Sequence, residues 1–402
     1  MMMNILYIAY SCNPFAGSED KIGWCVPFES SKTNKVVVIT KEEQRAPITH
    51  YLKNHSVDNI EFYYVDIPRI YKKLFKGFLY SGRLNIWHRR ALPIVKRICE
   101  EKHIDIIHQI TPIEFRAIGD YGIIENVHFV CGPLGGGEFV PKGLSDYTMG
   151  HRFIEFIRFV LNHYYRKKLC NTNKLKRSDY VMFANKETYD FLGGDNCSGE
   201  LVFDNGLRED EISELTKKDS CIFLSAGRMI YRKGYDFLLD VLMTIPESLK
   251  YEVRIVGDGP ELERLRKRCA NDPNLTKHVS FIGAIPYEEI EKEYIRASAF
   301  IMPSIRETTG TVLLEAMSKG LPVIALNKFG ASTLFDETTG WLLDGDSKES
   351  YISSFGKAII ECITSPEKVE YRGQNARRRA EEYTWIEKNK KYQSIYNQIL
   401  HN

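Results

Sequence analysis

Short apolar runs that stop at a turn and give way to helical periodicity recur along this chain, and the pattern starts twice. In the first half the runs are NILYIAY (4–10), KVVVIT (35–40), NIEFYYV (59–65), IDIIH (104–108), VHFVC (127–131), DYVMFA (179–184) and ELVF (200–203). The second half restarts with CIFLSAG (221–227), YEVRIVG (251–257), HVSFIG (278–283), SAFIMPS (298–304) and LPVIAL (321–326). Near-continuous apolar runs separated by helices read as parallel strands covered on both faces. At 402 residues the chain is too long for one core, so two doubly wound α/β units are expected. The polar stretch DNGLREDEISELTKKDS (204–220) has no apolar period and reads as the linker. The expected domains are 1–205 and 206–385. After Ser347 the pattern is helical, ending in the amphipathic YTWIEKNKKYQSIYNQIL (383–400).

Composition excludes several classes. A net charge of +2 does not suit a polyanion binder, and no nucleic-acid partner is expected. The nine cysteines form no C-x-x-C pair, as in a reduced cytosolic chain. MNILYIAY reads as a first strand rather than a signal peptide, and no run approaches the ~18 apolar residues of a membrane span. A cytoplasmic protein, free or peripheral on a membrane, is expected.

The stretch PSIRETTGTVLLEAMSKGLPVIAL (303–326) places Glu307 and Glu315 eight residues apart, with Gly310 between them. Helical periodicity runs from Thr309 to Lys319, and Gly320 with Pro322 supplies the stop. Val312, Leu313, Ala316 and Met317 share one face, while Thr308, Thr311, Glu315 and Ser318 form a polar stripe. The helix therefore begins at the carboxyl end of a parallel sheet, where a glycine and free amides suit a phosphate. Taken alone, the stretch is better read with Glu307 as a loop residue and Glu315 as a solvated helix residue.

Three further motifs end second-half strands. SAGRMIYRKGYDFLLDVL supplies Gly227, Arg228, Lys233 and Gly234; RIVGDGPELERL supplies Gly257 and Gly259; NKFGASTLFDETTGWLLDGDS supplies Gly330. Two cations, glycine turns and a helix N-terminus at one sheet edge make a diphosphate site that needs no metal. The DGD at 344–346 imitates a metal-binding D-x-D but reads as a turn after TGWLL, so no metal ligand is expected.

In this order GRMIYRKG, IVGDGP, the E-x7-E stretch, FGAST…TTGWLL and the closing YTWIEKNKKYQSIY resemble the family-4 retaining glycosyltransferases of the GT-B fold, including those of capsular and surface polysaccharides. The resemblance implies two Rossmann-like domains facing across a cleft, an N-terminal acceptor domain, a C-terminal nucleotide-sugar domain, and a last helix (about 386–402) packing back on the first. It implies that Glu307 approaches the donor sugar hydroxyls, Glu315 binds the ribose, and Arg228 and Lys233 hold the diphosphate. Gly17, Gly227, Gly257, Gly259, Thr308, Thr309, Gly310 and Thr311 would complete the donor site. Thr308-Thr309 stand where the family usually has Gly-Phe, making the sugar pocket more polar. Ser332, Thr333 and Leu334 supply no glutamate after Gly330, where the family often has one.

On the acceptor side, Glu19 and Asp20 in NPFAGSEDKIGW are candidates; a helix N-cap by Ser18 with acids in the first turn fits equally well. CGPLGGGE and HQITP are similar to a subgroup with a Gly-Pro-x-Gly-Gly-Gly loop, adding Gly135, Gly136 and two catalytic candidates, His108 and Glu138. His128 reads as a histidine within a strand. The implied substrates are a UDP- or GDP-sugar, with no other cofactor, and a saccharide or lipid-linked acceptor. The alternatives are a nucleotide-sugar epimerase of related fold and a non-catalytic glycan-binding protein.

Between Asp66 and Glu100 there is no acid, while nine basic residues interleave with aromatic and aliphatic ones; HRFIEFIRFVLNHYYRKKL (151–169) repeats the pattern. Such segments suit an anionic membrane surface, an RNA groove, or simply a solvated face.

Overall fold

In the computed structural model, which describes residues 2–213 and 221–401, the apolar runs pair into two all-parallel sheets. The part of the expected linker at 214–220 lies outside the described residues. The first sheet is built from β1 (Asn4–Ala9), β2 (Lys35–Lys41), β3 (Ile60–Val65), β4 (Ile106–Thr111), β5 (His128–Leu134), β6 (Tyr180–Phe183) and β7 (Gly199–Leu201), in the order β3-β2-β1-β4-β5-β6-β7. The second contains β8 (Ile222–Ala226), β9 (Glu252–Val256), β10 (Val279–Gly283), β11 (Ala299–Met302), β12 (Val323–Leu326) and β13 (Gly340–Leu343), in the order β10-β9-β8-β11-β12-β13. Each sheet reverses its strand order once, between β1 and β4 and between β8 and β11. Ligands of doubly wound folds bind outside the carboxyl ends of the strands at such points.

Strand β2 shows why the runs are apolar at every position. Val37 and Ile39 enter one core with Leu84, Trp87 and Val95; Val36 and Val38 enter the other with Trp24, Trp385 and Tyr396. With both faces covered, alternation disappears. Strand β13 was not anticipated. Its four residues follow directly on the Asp336–Thr339 turn, and a run that short carries little periodic signal. Val312 is only half-buried while Leu314 is fully buried, because helix Thr311–Ser318 packs against β11 and β12 on one side and helix Pro366–Glu381 on the other.

The chain divides into two compact units, each discontinuous in sequence. The first comprises Met1–Gly137, Ile157–Gly206 and Trp385–Asn402; the second comprises Glu138–Phe156 and Leu207–Thr384. The expectation of a single first domain over 1–205 is corrected at 138–156. Leu144 and Tyr147 are buried in the second unit's core with Phe237 and Phe355, and Tyr147 Oη donates to Asp240 Oδ2 at 2.6 Å. In the first unit, helix Trp385–His401 buries Trp385, Tyr392, Ile395 and Tyr396 against β1. Among the described residues no helix is long and apolar enough to cross a membrane.

Candidate functional site

In the second unit, the loops after β8 and β11 lie side by side because two backbone bonds tie them. Ile305 and Arg306 both donate their amides to the Arg232 carbonyl, at 3.0 and 3.3 Å. The short helix Tyr231–Lys233 ends at Gly234, whose φ of 72° is in the left-handed region. A Cβ there would sit 1.9 Å from the Pro303 carbonyl oxygen, so only glycine lets the loops approach this closely. Lys233 is thereby delivered onto Glu307: its Nζ donates to Glu307 Oε2. Arg232 Nη1 lies 3.6 Å from Glu307 Oε1, and the Thr308 amide donates to the same oxygen at 3.2 Å.

Burial pushes the Glu307 carboxyl up, but the Lys233 and Arg232 charges and the hydrogen bonds from Lys233 and Thr308 outweigh it. The carboxyl is held below the usual carboxylate range, so it is an anion at neutral pH.

The remaining second-unit candidates lie on the loops after β8, β9 and β11 and in the helix that follows β11. Gly227 follows β8, and Gly257 and Gly259 form the turn after β9; a Cβ on Gly257 would meet the Gly227 carbonyl at 2.0 Å, and one on Gly259 the Met229 backbone at 2.6 Å. Arg228 is exposed on the same loop. Gly310 caps helix Thr311–Ser318 in the left-handed region, with Thr309 buried just before it and Thr311 opening the first turn. Glu315 lies within that helix and accepts from Tyr294 Oη at 3.1 Å.

Three residues that frame the loop had no sequence signal. Arg306 Nη2 donates to Glu155 Oε1 at 2.9 Å, and Tyr231 Oη donates to the same oxygen at 2.6 Å. Glu155 is 151 positions from Arg306, and nothing in local spacing announces that pairing. Glu138, expected on the acceptor side, belongs instead to this second unit. It is 1% exposed and accepts from Thr308 Oγ1, so it braces the loop next to Glu307.

The first-unit candidates are not assembled into one site. His108 is fully buried; burial lowers its pKa to about 4 against the opposing Gly132 hydrogen bond. Its neutral ring spans Tyr396 Oη at 2.6 Å and the Gly132 carbonyl at 2.8 Å, which occupies both nitrogens. That makes it a core histidine and corrects the acceptor-side expectation. Gly135 is buried and bridges to Glu114, and the Gly136 carbonyl accepts from Arg158 and Asn162, each at 2.8 Å. Asp20 accepts from Gln44 Nε2 at 2.8 Å, and Gly17 is exposed. Ser18 makes no side-chain cap. His128 pairs with Asp179 at 3.1 Å.

Glu19 stands apart. It lies past the carboxyl end of β1 and accepts the Ile113 amide, from just past β4, at 2.8 Å. Burial pushes its carboxyl up to about 7, opposed by the Ile113 amide and helped by the Glu114 charge. A carboxyl raised in the folded state contributes stability below the unfolded value of ~4.3 and loses it as pH rises through about 7. Glu19→Gln keeps an acceptor for Ile113 without the charge. It should therefore melt close to the wild type at pH 5 and above it at pH 8. Equal melting temperatures at both pH values would refute a raised Glu19.

Two Rossmann-like units with a cation–carboxylate pair at the second switch point define the GT-B fold class. Residues 208–379 match the family of glycosyl transferases group 1. The chain is 30% identical over 171 residues to the sulfoquinovosyl transferase SQD2 of Arabidopsis thaliana, covering 41% of this chain and 31% of that protein. Its matches span 31% to 40% of the length of the first curated relatives. It is 23% identical over 388 residues to the phosphatidylinositol N-acetylglucosaminyltransferase gpi3 subunit of Schizosaccharomyces pombe, covering 91% of this chain and 74% of that one. The solved structure of Anabaena HepE in complex with UDP and glucose superposes with a TM-score of 0.60 at 15% identity, over 98% of this chain and all of that one.

Proposed function

We propose that this chain is a glycosyltransferase that moves a sugar from a nucleotide-sugar to a saccharide or lipid-linked saccharide acceptor, with retention of anomeric configuration, in polysaccharide or glycolipid synthesis. The observation that carries the reading is the Lys233–Glu307 pair at the carboxyl ends of β8 and β11, with Arg228 on the same loop as Lys233. Arg228, Lys233 and the amides of helix Thr311–Ser318 take the diphosphate. The charge that develops on the leaving group meets these fixed cations and dipoles, which stand in place before the reaction begins. Glu307, an anion among cations, is a poor proton donor and no free nucleophile. It positions sugar hydroxyls, and the acceptor attacks on the face from which the nucleotide departs. Glu315 takes the ribose. The UDP and glucose bound in HepE support a nucleotide diphosphate as the donor's leaving group.

A thermal-shift screen with UDP-, GDP- and ADP-sugars in metal-free buffer tests this. A donor at ~100 times its dissociation constant adds ~2.7 kcal/mol of stability. One nucleotide class should shift the wild type and not Arg228→Ala. A shift that survives Arg228→Ala unchanged would remove Arg228 from the site. Anomeric configuration follows from the NMR coupling of the product, and an inverted product would refute retention.

A further inference from the structure

Helix Arg152–Thr172 turns polar residues inward and carries a row of large apolar residues on its outer side. Three of its polar residues face the protein: Asn162 is fully buried, Asn162 Nδ2 and Arg158 Nη2 both donate to the Gly136 carbonyl, and Glu155 holds Arg306 and Tyr231. Leu169 is buried in the core, but five other apolar residues face outward. Phe153, Phe156, Phe159, Val160 and Tyr164 are 48% to 71% exposed and recur at helical spacing along one side. A contiguous exposed apolar stripe marks a surface that something apolar covers.

The charges on the helix identify the occupant. Arg166, Lys167 and Lys168 are exposed in its last turns and have no ion-pair partner among the described residues. Glu155, the helix's only acid, is turned inward and engaged. We propose that the outward face of this helix is a docking surface for an anionic lipid bilayer, with the aromatic stripe entering the headgroup boundary and the basic turns on the lipid phosphates. A second copy of the chain is a poorer fit. Neither parallel nor antiparallel pairing of two such faces offers a carboxylate to the basic turns. The segment Arg69–Leu74 of the first unit repeats the composition, with Ile70 and Leu74 exposed beside exposed Lys73 and Lys76.

The inference rests on the proposed function only in favouring the lipid-linked acceptor. Its test contains no sugar transfer, so the two fail separately. The full chain is sedimented with vesicles of phosphatidylcholine alone or mixed with phosphatidylglycerol. Binding is expected only to the mixed vesicles and should weaken as salt rises. The triple variant Phe156→Ser, Val160→Ser, Tyr164→Ser alters exposed side chains only, and an unchanged melting temperature verifies its fold. It should lower vesicle partitioning at least ~10-fold, as should Lys167→Glu with Lys168→Glu. Absence of wild-type binding, or triple-variant binding equal to wild type, overturns the proposal. So does a wild-type dimer that binds no vesicles and that the triple variant dissolves, which would assign the face to a second copy.

Discussion

Lys233→Ala is expected to lower turnover by ~10²-fold or more, the scale on which removing one preorganised stabiliser acts. The variant loses the ammonium proposed for the diphosphate, and it leaves Glu307 with Arg232 at 3.6 Å as its nearest cation. The carboxyl's pKa then rises toward its ordinary value, because burial is no longer outweighed. This has a stability counterpart whose sign is fixed. A carboxyl depressed in the folded state contributes stability above its unfolded pKa of ~4.3 and loses it as pH falls through the folded value. The melting-temperature gap between wild type and Lys233→Ala should thus be widest near neutrality and close in acid. Lys233→Arg, which keeps the charge, should retain more of that stability than of the turnover. Full turnover in Lys233→Ala would remove the diphosphate assignment.

Gly234→Ala is expected to cost roughly 3 kcal/mol, from a non-glycine residue in the left-handed region together with a Cβ driven into the Pro303 carbonyl. For a unit of this size the melting temperature should fall by roughly 6–12 °C. Gly77 provides the control. Its φ of 55° is also left-handed, yet nothing lies within 4 Å of its would-be Cβ. Gly77→Ala isolates the backbone term, about 1–2 kcal/mol. If the two variants melt alike, the close approach of the loops contributes nothing. If Gly234→Ala loses donor binding as well, the glycine sets the Lys233–Glu307 geometry and not only the stability.

The strands and the loops that carry Lys233, Gly234 and Glu307 were legible in the sequence because both are local. A run such as KVVVIT carries its own burial pattern, and Lys233 and Gly234 stand next to each other in the chain. What escaped was long-range. Nothing near Glu155 or Glu138 says that they brace a loop at 306–308, and the membership of residues 138–156 in the second unit leaves no mark on periodicity. His108 misled for a related reason: HQITP resembles a motif that accompanies a Gly-Pro-x-Gly-Gly-Gly loop, and nothing local shows that Tyr396, 288 positions away, shares its nitrogen. GWLL of β13 was simply too short to read.

The interleaving of the two units has a consequence for synthesis on the ribosome. Residues 138–156 emerge long before strands β8 to β13, whose core they complete, so Leu144 and Tyr147 must wait for it. The first unit waits longer still. Its face bearing Ile5, Tyr7, Val36 and Val38 stays uncovered until Trp385, Tyr392 and Tyr396 are made, after the whole of the second unit. Neither half can finish early, and a stalled or shortened chain exposes apolar surface from both units at once.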